Sequence, residues 1–189
     1  MTGKYRNVRG AILKNITHPM QAVGKYERLI QRDALMNETF FGQVYHWLVE
    51  QLRPGTTVID IGANIGDTAI YFAQFKEVKK VIAYEPFPYT YRLMLDHLQG
   101  CPLSYKITAR NEAIGERPAT IIMPETEEDS AGLDVLSLKR KSGVAVKVTS
   151  LSEALKGLKD VAIKCDVEGA EESLFRAGPE GAGWRGQVA

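Results

Sequence analysis

The chain is predicted to fold as an α/β protein on a mostly parallel sheet, and three observations predict it. Thr56–Ile61 is a β-branched run that ends at Gly62, as a strand buried on both faces does. Lys80–Tyr84 and Val161–Cys165 are two further short apolar runs. Each of the three is followed by a helix-like segment, and strands alternating with helices build βαβ units and a parallel sheet. A chain of 189 residues favours one domain with a sizeable core.

Taken in order, residues 1–37 read as an N-terminal extension with short apolar patches (Ala11-Ile12-Leu13, Tyr26 to Ile30) and no clear period. The domain proper is expected over 38–176. It opens on a helix in which Phe40, Phe41, Val44, Trp47, Leu48 and Leu52 recur at three- and four-residue spacing, a single apolar stripe. Asn37 or Thr39 is placed to cap its start, and Pro54-Gly55 to end it. Asp67–Phe75 reads as the helix after the first strand and Pro88–Leu98 as the helix after the second. Leu103–Thr108 is a weaker third strand, and Val161–Cys165 a fourth, with a helix from about Ala170 to Phe175. Between the third and fourth strands the pattern changes. Ala119–Met123 and Val144–Val148 are expected to pair as an antiparallel hairpin, with a long polar loop over Pro124–Ser142. Loops of that length in compact domains are often functional. Leu151–Leu158 is a short helix, and residues 177–189 a glycine-rich, irregular or disordered tail.

Composition is ordinary: 44% hydrophobic, 25% charged, net charge +1. A near-neutral balance offers no electrostatic footprint for nucleic acid, and Lys139-Arg140-Lys141 reads as a solvated loop. Cys101 and Cys165 are far apart and lack metal-ligand spacing, so neither a disulfide framework nor a zinc site is expected, and no residue is assigned as a metal ligand. No apolar leader and no bilayer-length apolar run is present, so the default expectation is a soluble cytoplasmic protein away from membranes.

The strongest constellation is Asp60-Ile61-Gly62-Ala63-Asn64-Ile65-Gly66, directly after an apolar strand. Gly62 lets the backbone turn sharply and a ligand approach closely, Gly66 lets the next helix pack near the strand, and the free amides at that helix start can hold polar ligand groups. A dinucleotide loop reads Gly-x-Gly-x-x-Gly; this one reads Gly-x-x-x-Gly after Asp and lacks the middle glycine that admits a pyrophosphate. S-adenosylmethionine (AdoMet) has no phosphate and carries an ammonium and a sulfonium, which a carboxylate suits. Glu85 lies about 20 residues beyond the loop, at the end of the second strand, where nucleotide folds place the ribose-binding acid. Pro86 and Phe87 follow it, and Phe87 is a candidate cover for an adenine face.

Two weaker elements follow. Asn111-Glu112-Ala113-Ile114-Gly115 is either a polar turn or a route for Glu112 and Ala113 to the adenine amino group. Lys164-Cys165-Asp166-Val167-Glu168-Gly169-Ala170-Glu171 brings carboxylates to the carboxyl end of the fourth strand, the edge at which open α/β sheets bind ligands. Asp166 and Glu168 there are candidates to orient or deprotonate a hydroxyl or to hold a divalent cation. His18, His46 and His97 are scattered with no partner spacing, and His46, within an amphipathic helix, is read as structural or on the surface.

These four elements, in this order, resemble the FkbM-type family of AdoMet-dependent methyltransferases. The likeness is most specific in Val58–Gly66 and Lys164–Glu171, is supported by Ala113-Ile114-Gly115 and Thr149-Ser150-Leu151, and covers roughly residues 38–175. It implies a Rossmann-like class I methyltransferase fold, a three-layer sandwich, and methyl transfer to a hydroxyl oxygen of a small molecule or sugar. It implies that Asp60, Gly62, Ala63, Asn64 and Gly66 line the methionine end of AdoMet, that Glu85 takes the ribose, and that Asp166 sits beside the methyl donor with Glu168 near the acceptor. A class I sheet has seven strands; four parallel ones are recognisable here before the glycine-rich stretch. The chain is therefore expected to be C-terminally truncated, to complete its sheet as a homo-oligomer, or to be a non-catalytic AdoMet-binding domain. A nicotinamide-dependent oxidoreductase is the remaining alternative.

Overall fold

A computed structural model of the chain describes residues 45–125 and 142–167, together with Leu174. The helix start at 37–44, the Lys139-Arg140-Lys141 cluster, Glu168 through Glu171 and the glycine-rich tail all lie outside the described residues.

The described chain runs α1 (His46–Val49), β1 (Thr56–Ile61), α2 (Asp67–Ala73), β2 (Val78–Tyr84), α3 (Pro88–Gln99), a 3-10 turn (Ser104–Lys106), β3 (Ile107–Arg110), β4 (Glu112–Gly115), β5 (Ala119–Met123), β6 (Val144–Ser150), α4 (Leu151–Leu155) and β7 (Val161–Cys165). Four strands form a parallel sheet in the order β3-β2-β1-β7. The other three form a smaller sheet, β4-β6-β5, in which β4 lies parallel and β5 antiparallel to β6. The predicted hairpin is present, with Ala119 opposite Val148 and Met123 opposite Val144.

Strands β1 and β7 of the parallel sheet are buried on both faces, which is why they read as near-continuous apolar runs, while edge strand β3 is half-buried. Alternation along the strands sorts the two faces. Val58, Val81, Ala83 and Ala162 pack under α2 and α3 with Ala69, Phe72, Met94 and Leu98. Ile59, Ile61, Ile82, Tyr84, Ile163 and Cys165 pack on the opposite face with Ile114, Leu174 and, from α4, Leu151 and Leu155. Helices on both sides of the sheet make the three layers.

Several boundaries differ from expectation. Where the sequence predicts a strand from Leu103, the chain first makes a 3-10 turn and β3 begins at Ile107. Lys106 is drawn away from the sheet: its Nζ donates to the carbonyls of Ala73 and Phe75 at 3.0 and 3.1 Å, satisfying acceptors at the end of α2. Helix α2 correspondingly ends at Ala73 and not at Phe75. Strand β2 starts two residues early, at Val78, which is buried and pairs with Thr56. The helix predicted to reach Leu52 stops at Val49, where the amides of Gln51 and Leu52 bond three residues back. Helix α4 stops at Leu155 because Lys156 is extended and Gly157 has φ of 76°. Ser150 caps its start, accepting from the Glu153 amide at 3.2 Å.

Candidate functional site

Strands β2 and β3 lie on one side of β1 and β7 on the other, so the sheet reverses its order between β1 and β7. In open α/β sheets the crevice outside the carboxyl ends of the strands at such a reversal is where ligands bind. The residues that leave β1 and β7 there are the Asp60–Gly66 loop and Lys164–Asp166.

The loop is held in one shape. Gly62, Asn64 and Gly66 all have positive φ, at 75°, 49° and 84°. A side chain at Gly62 would overlap the carbonyl oxygen of Asp166, so only glycine lets the two strand exits lie this close. A Cβ at Gly66 would stand 2.8 Å from Cγ of Met94, against α3. The Ile65 carbonyl meets Nδ1 of His97 at 2.6 Å, so His97, which the sequence leaves without a partner, clasps the loop to α3.

Asp60 is wholly buried at the end of β1. Its Oδ2 accepts from the Thr68 hydroxyl on α2, and its Oδ1 lies 3.2 Å from Nζ of Lys164. Lys164 is Asp60's register partner on β7 and is itself 2% exposed. The same ammonium donates to the Gly62 carbonyl at 2.9 Å and lies 3.8 Å from Oδ2 of Asp166. It also stands 5.9 Å from the centre of the Tyr45 ring. Burial alone would depress the Lys164 pKa; Asp60, Tyr45 and Asp166 outweigh it and hold the ammonium above its ordinary range. Asp166 has a 62% exposed side chain, while its amide is fixed to the Ile61 carbonyl at 3.0 Å.

Glu85 is buried at the end of β2. Its Oε2 accepts from the Asn64 amide at 2.8 Å and its Oε1 from the Phe87 amide at 2.9 Å. Burial pushes its carboxyl up to about 7, against the pull of those two amides and of Lys164. Asn111 fastens this strand end, with Nδ2 donating to the carbonyls of Glu85 and Pro86 at 2.8 and 3.0 Å.

The structure thus brings together Asp60, Gly62, Ala63, Asn64, Gly66, Glu85 and Asp166 at one sheet edge. Pro86 is buried beside Glu85, while Phe87 packs onto Met123 and Val146 of the smaller sheet. Glu112–Ala113 is not a polar turn but the start of β4. The Glu112 carboxylate accepts from the Thr149 hydroxyl and pairs with Arg110 at 3.3 Å and Lys147 at 3.7 Å. Lys164 is the residue that sequence reasoning passed over. The signal was present: a lysine inside an otherwise apolar strand is almost never fully buried unless paired.

Among the described residues no cluster of three or more His, Cys, Asp or Glu side chains could hold a metal ion, and no helix is long and apolar enough to cross a membrane.

Residues 60–187 match a family model described as the methyltransferase FkbM domain. No curated protein matches the chain. Among solved structures, it is similar to methyltransferase FkbM from Methylobacillus flagellatus KT, with 17% identity, a TM-score of 0.46, and coverage of 65% of this chain and 28% of that one. It is also similar to TYW2 of Pyrococcus horikoshii, solved in complex with MeSAdo, with 27% identity, a TM-score of 0.30, and coverage of 33% of this chain and 24% of that one. The chain spans about a quarter of the length of these solved structures.

Proposed function

The chain belongs to the FkbM methyltransferase domain family, and we propose that it binds AdoMet at the β1–β7 crevice and methylates a hydroxyl oxygen of a small molecule or sugar. The observation that carries this reading is the carboxylate set at the sheet edge. Asp60, Glu85 and Asp166 converge on a loop whose middle position is Asn64, not glycine, so the donor chemistry favours a cationic ligand over a pyrophosphate.

In this reading the 62–66 backbone holds the methionine end, with the Asp60 charge beneath it. Glu85 receives the ribose hydroxyls: each carboxylate oxygen accepts one amide and retains a second acceptor site. Pro86, Phe87 and the start of β4 at Glu112–Ala113 flank the adenine, Glu112 through its strand and not through its engaged carboxylate. Bound AdoMet supplies an electrophilic methyl group. The chain's own contribution is positioning, together with proton removal: Asp166, exposed at the exit of β7, takes the acceptor's hydroxyl proton, with Glu168 assigned to the acceptor.

Incubation with radiolabelled AdoMet and a panel of hydroxylated acceptors tests this. Label is expected in at least one sugar or small alcohol, and Asp166→Asn should lower its rate about 100-fold, the scale of one acid–base group. Transfer only to nitrogen or sulfur acceptors, or an Asp166→Asn variant as fast as the parent, contradicts the assignment.

A further inference from the structure

The buried lysine of β7 has three N–H donors, and three oxygens of the crevice surround its nitrogen. They are Oδ1 of Asp60 at 3.2 Å, the Gly62 carbonyl at 2.9 Å and Oδ2 of Asp166 at 3.8 Å. These oxygens come from three places: the end of β1, the turn of the glycine loop, and the exit of β7. Balancing the charge of Asp60 would require only one of them. An apolar pair in the same space would also cost less desolvation, so a buried ion pair is weak ground for stability alone. We propose that Lys164 is the positioning residue of the cofactor site: its ammonium locks Asp60, the Gly62 carbonyl and Asp166 into one constellation and sets that constellation at one net negative charge, the complement of singly cationic AdoMet. This rests on the AdoMet reading above and adds to it the residue that makes the crevice selective.

The charge arithmetic is local. Asp60 and Asp166 with the one ammonium leave one negative charge, and Glu85, whose carboxyl burial pushes up to about 7, adds to it only as it ionises. AdoMet, with its sulfonium, ammonium and carboxylate, carries one positive charge; the demethylated product is neutral. The groups that face Lys164 electrostatically are Asp60 on β1, Asp166 after β7, Tyr45 before α1, and Glu85 after β2; Asp67 on α2 acts on the same tyrosine. Removing the ammonium leaves Asp60 and Glu85 buried without their cation. The Glu85 carboxyl, which that cation pulls down, then holds its proton to higher pH, and Asp166 and the Gly62 carbonyl lose their common anchor.

Calorimetric titration of the full chain with AdoMet across about pH 6 to 8.5 tests the proposal. Lys164→Met should weaken AdoMet binding about tenfold or more, the scale of one charge-assisted hydrogen bond. The pH at which affinity is half-maximal should move up as the Glu85 carboxyl loses that cation, and Lys164→Arg should restore part of both. In case Lys164→Met does not fold, the double variant Lys164→Met/Asp60→Asn removes the unpaired buried charge and is compared with Asp60→Asn. If Lys164 positions Asp166 and the loop, the double variant binds about tenfold more weakly than the single. Equal affinity of those two, or a Lys164→Met profile unshifted in pH, overturns the proposal while leaving AdoMet binding intact. An unaltered chain that takes up no AdoMet overturns the underlying reading, and the proposal with it.

Discussion

Each sheet of this chain contains an acid and a lysine that are register partners across two parallel strands. In the larger sheet they are Asp60 of β1 and Lys164 of β7, 3.2 Å apart with side chains 0% and 2% exposed. In the smaller they are Glu112 of β4 and Lys147 of β6, 3.7 Å apart and 17% and 54% exposed. The chemistry is the same and the surroundings differ. Lys147 divides itself between Glu112 and Glu153 in contact with water, where an ion pair contributes little. Lys164 is committed, out of water, to oxygens that all belong to the crevice. Burial turns the same pair from a solvated strand edge into a fixed part of a site.

That contrast can be broken at its strongest point first. Lys164→Met leaves Asp60 as an uncompensated buried charge and is expected to lower unfolding free energy by about 3–5 kcal/mol in chemical denaturation. A loss under about 1 kcal/mol would mean that the two pairs are equivalent.

Glu85 comes next. Its folded carboxyl titrates near 7 against an ordinary 4.5. Between those values the folded chain keeps a proton that the unfolded chain has released, so this group stabilises the fold fully below about pH 4.5 and loses that contribution as pH rises through about 7. The total is roughly 3 kcal/mol. Denaturation midpoints across this range should fall with pH, and the slope due to this group should vanish in Glu85→Gln. An identical slope in the two proteins would show that Glu85 is ionised throughout.

The smallest effect belongs to the other sheet. Lys147→Met should change stability by less than about 1 kcal/mol, and that small effect should shrink further in high salt. A loss as large as that of Lys164→Met would erase the distinction between the two regions.

The same contrast decides what was legible in the sequence. The parallel strands were readable because both faces are buried: Thr56–Ile61 and Val161–Cys165 are apolar enough to stand out without partners. The glycine loop was readable because positive φ at Gly62 and Gly66 restricts residue choice. The hairpin was readable from two β-rich segments flanking a polar stretch. What escaped depends on contacts distant in sequence. Lys106 ends α2 from about 30 residues away, which moved the start of β3. His97 reaches Ile65 across 32 positions, and Lys164 reaches Gly62 across 102. Glu112, open in sequence between a polar turn and an adenine contact, proved to lie in a strand because Lys147, 35 positions on, pairs with it in parallel as well as belonging to the expected hairpin.

The crevice between β1 and β7 is proposed as a site for AdoMet, a cationic, phosphate-free nucleoside cofactor. Calorimetric titration of the unaltered chain with AdoMet and, separately, with NAD tests it most directly. One-to-one binding of AdoMet, with no measurable heat from NAD and with binding lost in Glu85→Ala, is the predicted result. Saturable binding of NAD with no response to AdoMet would contradict it.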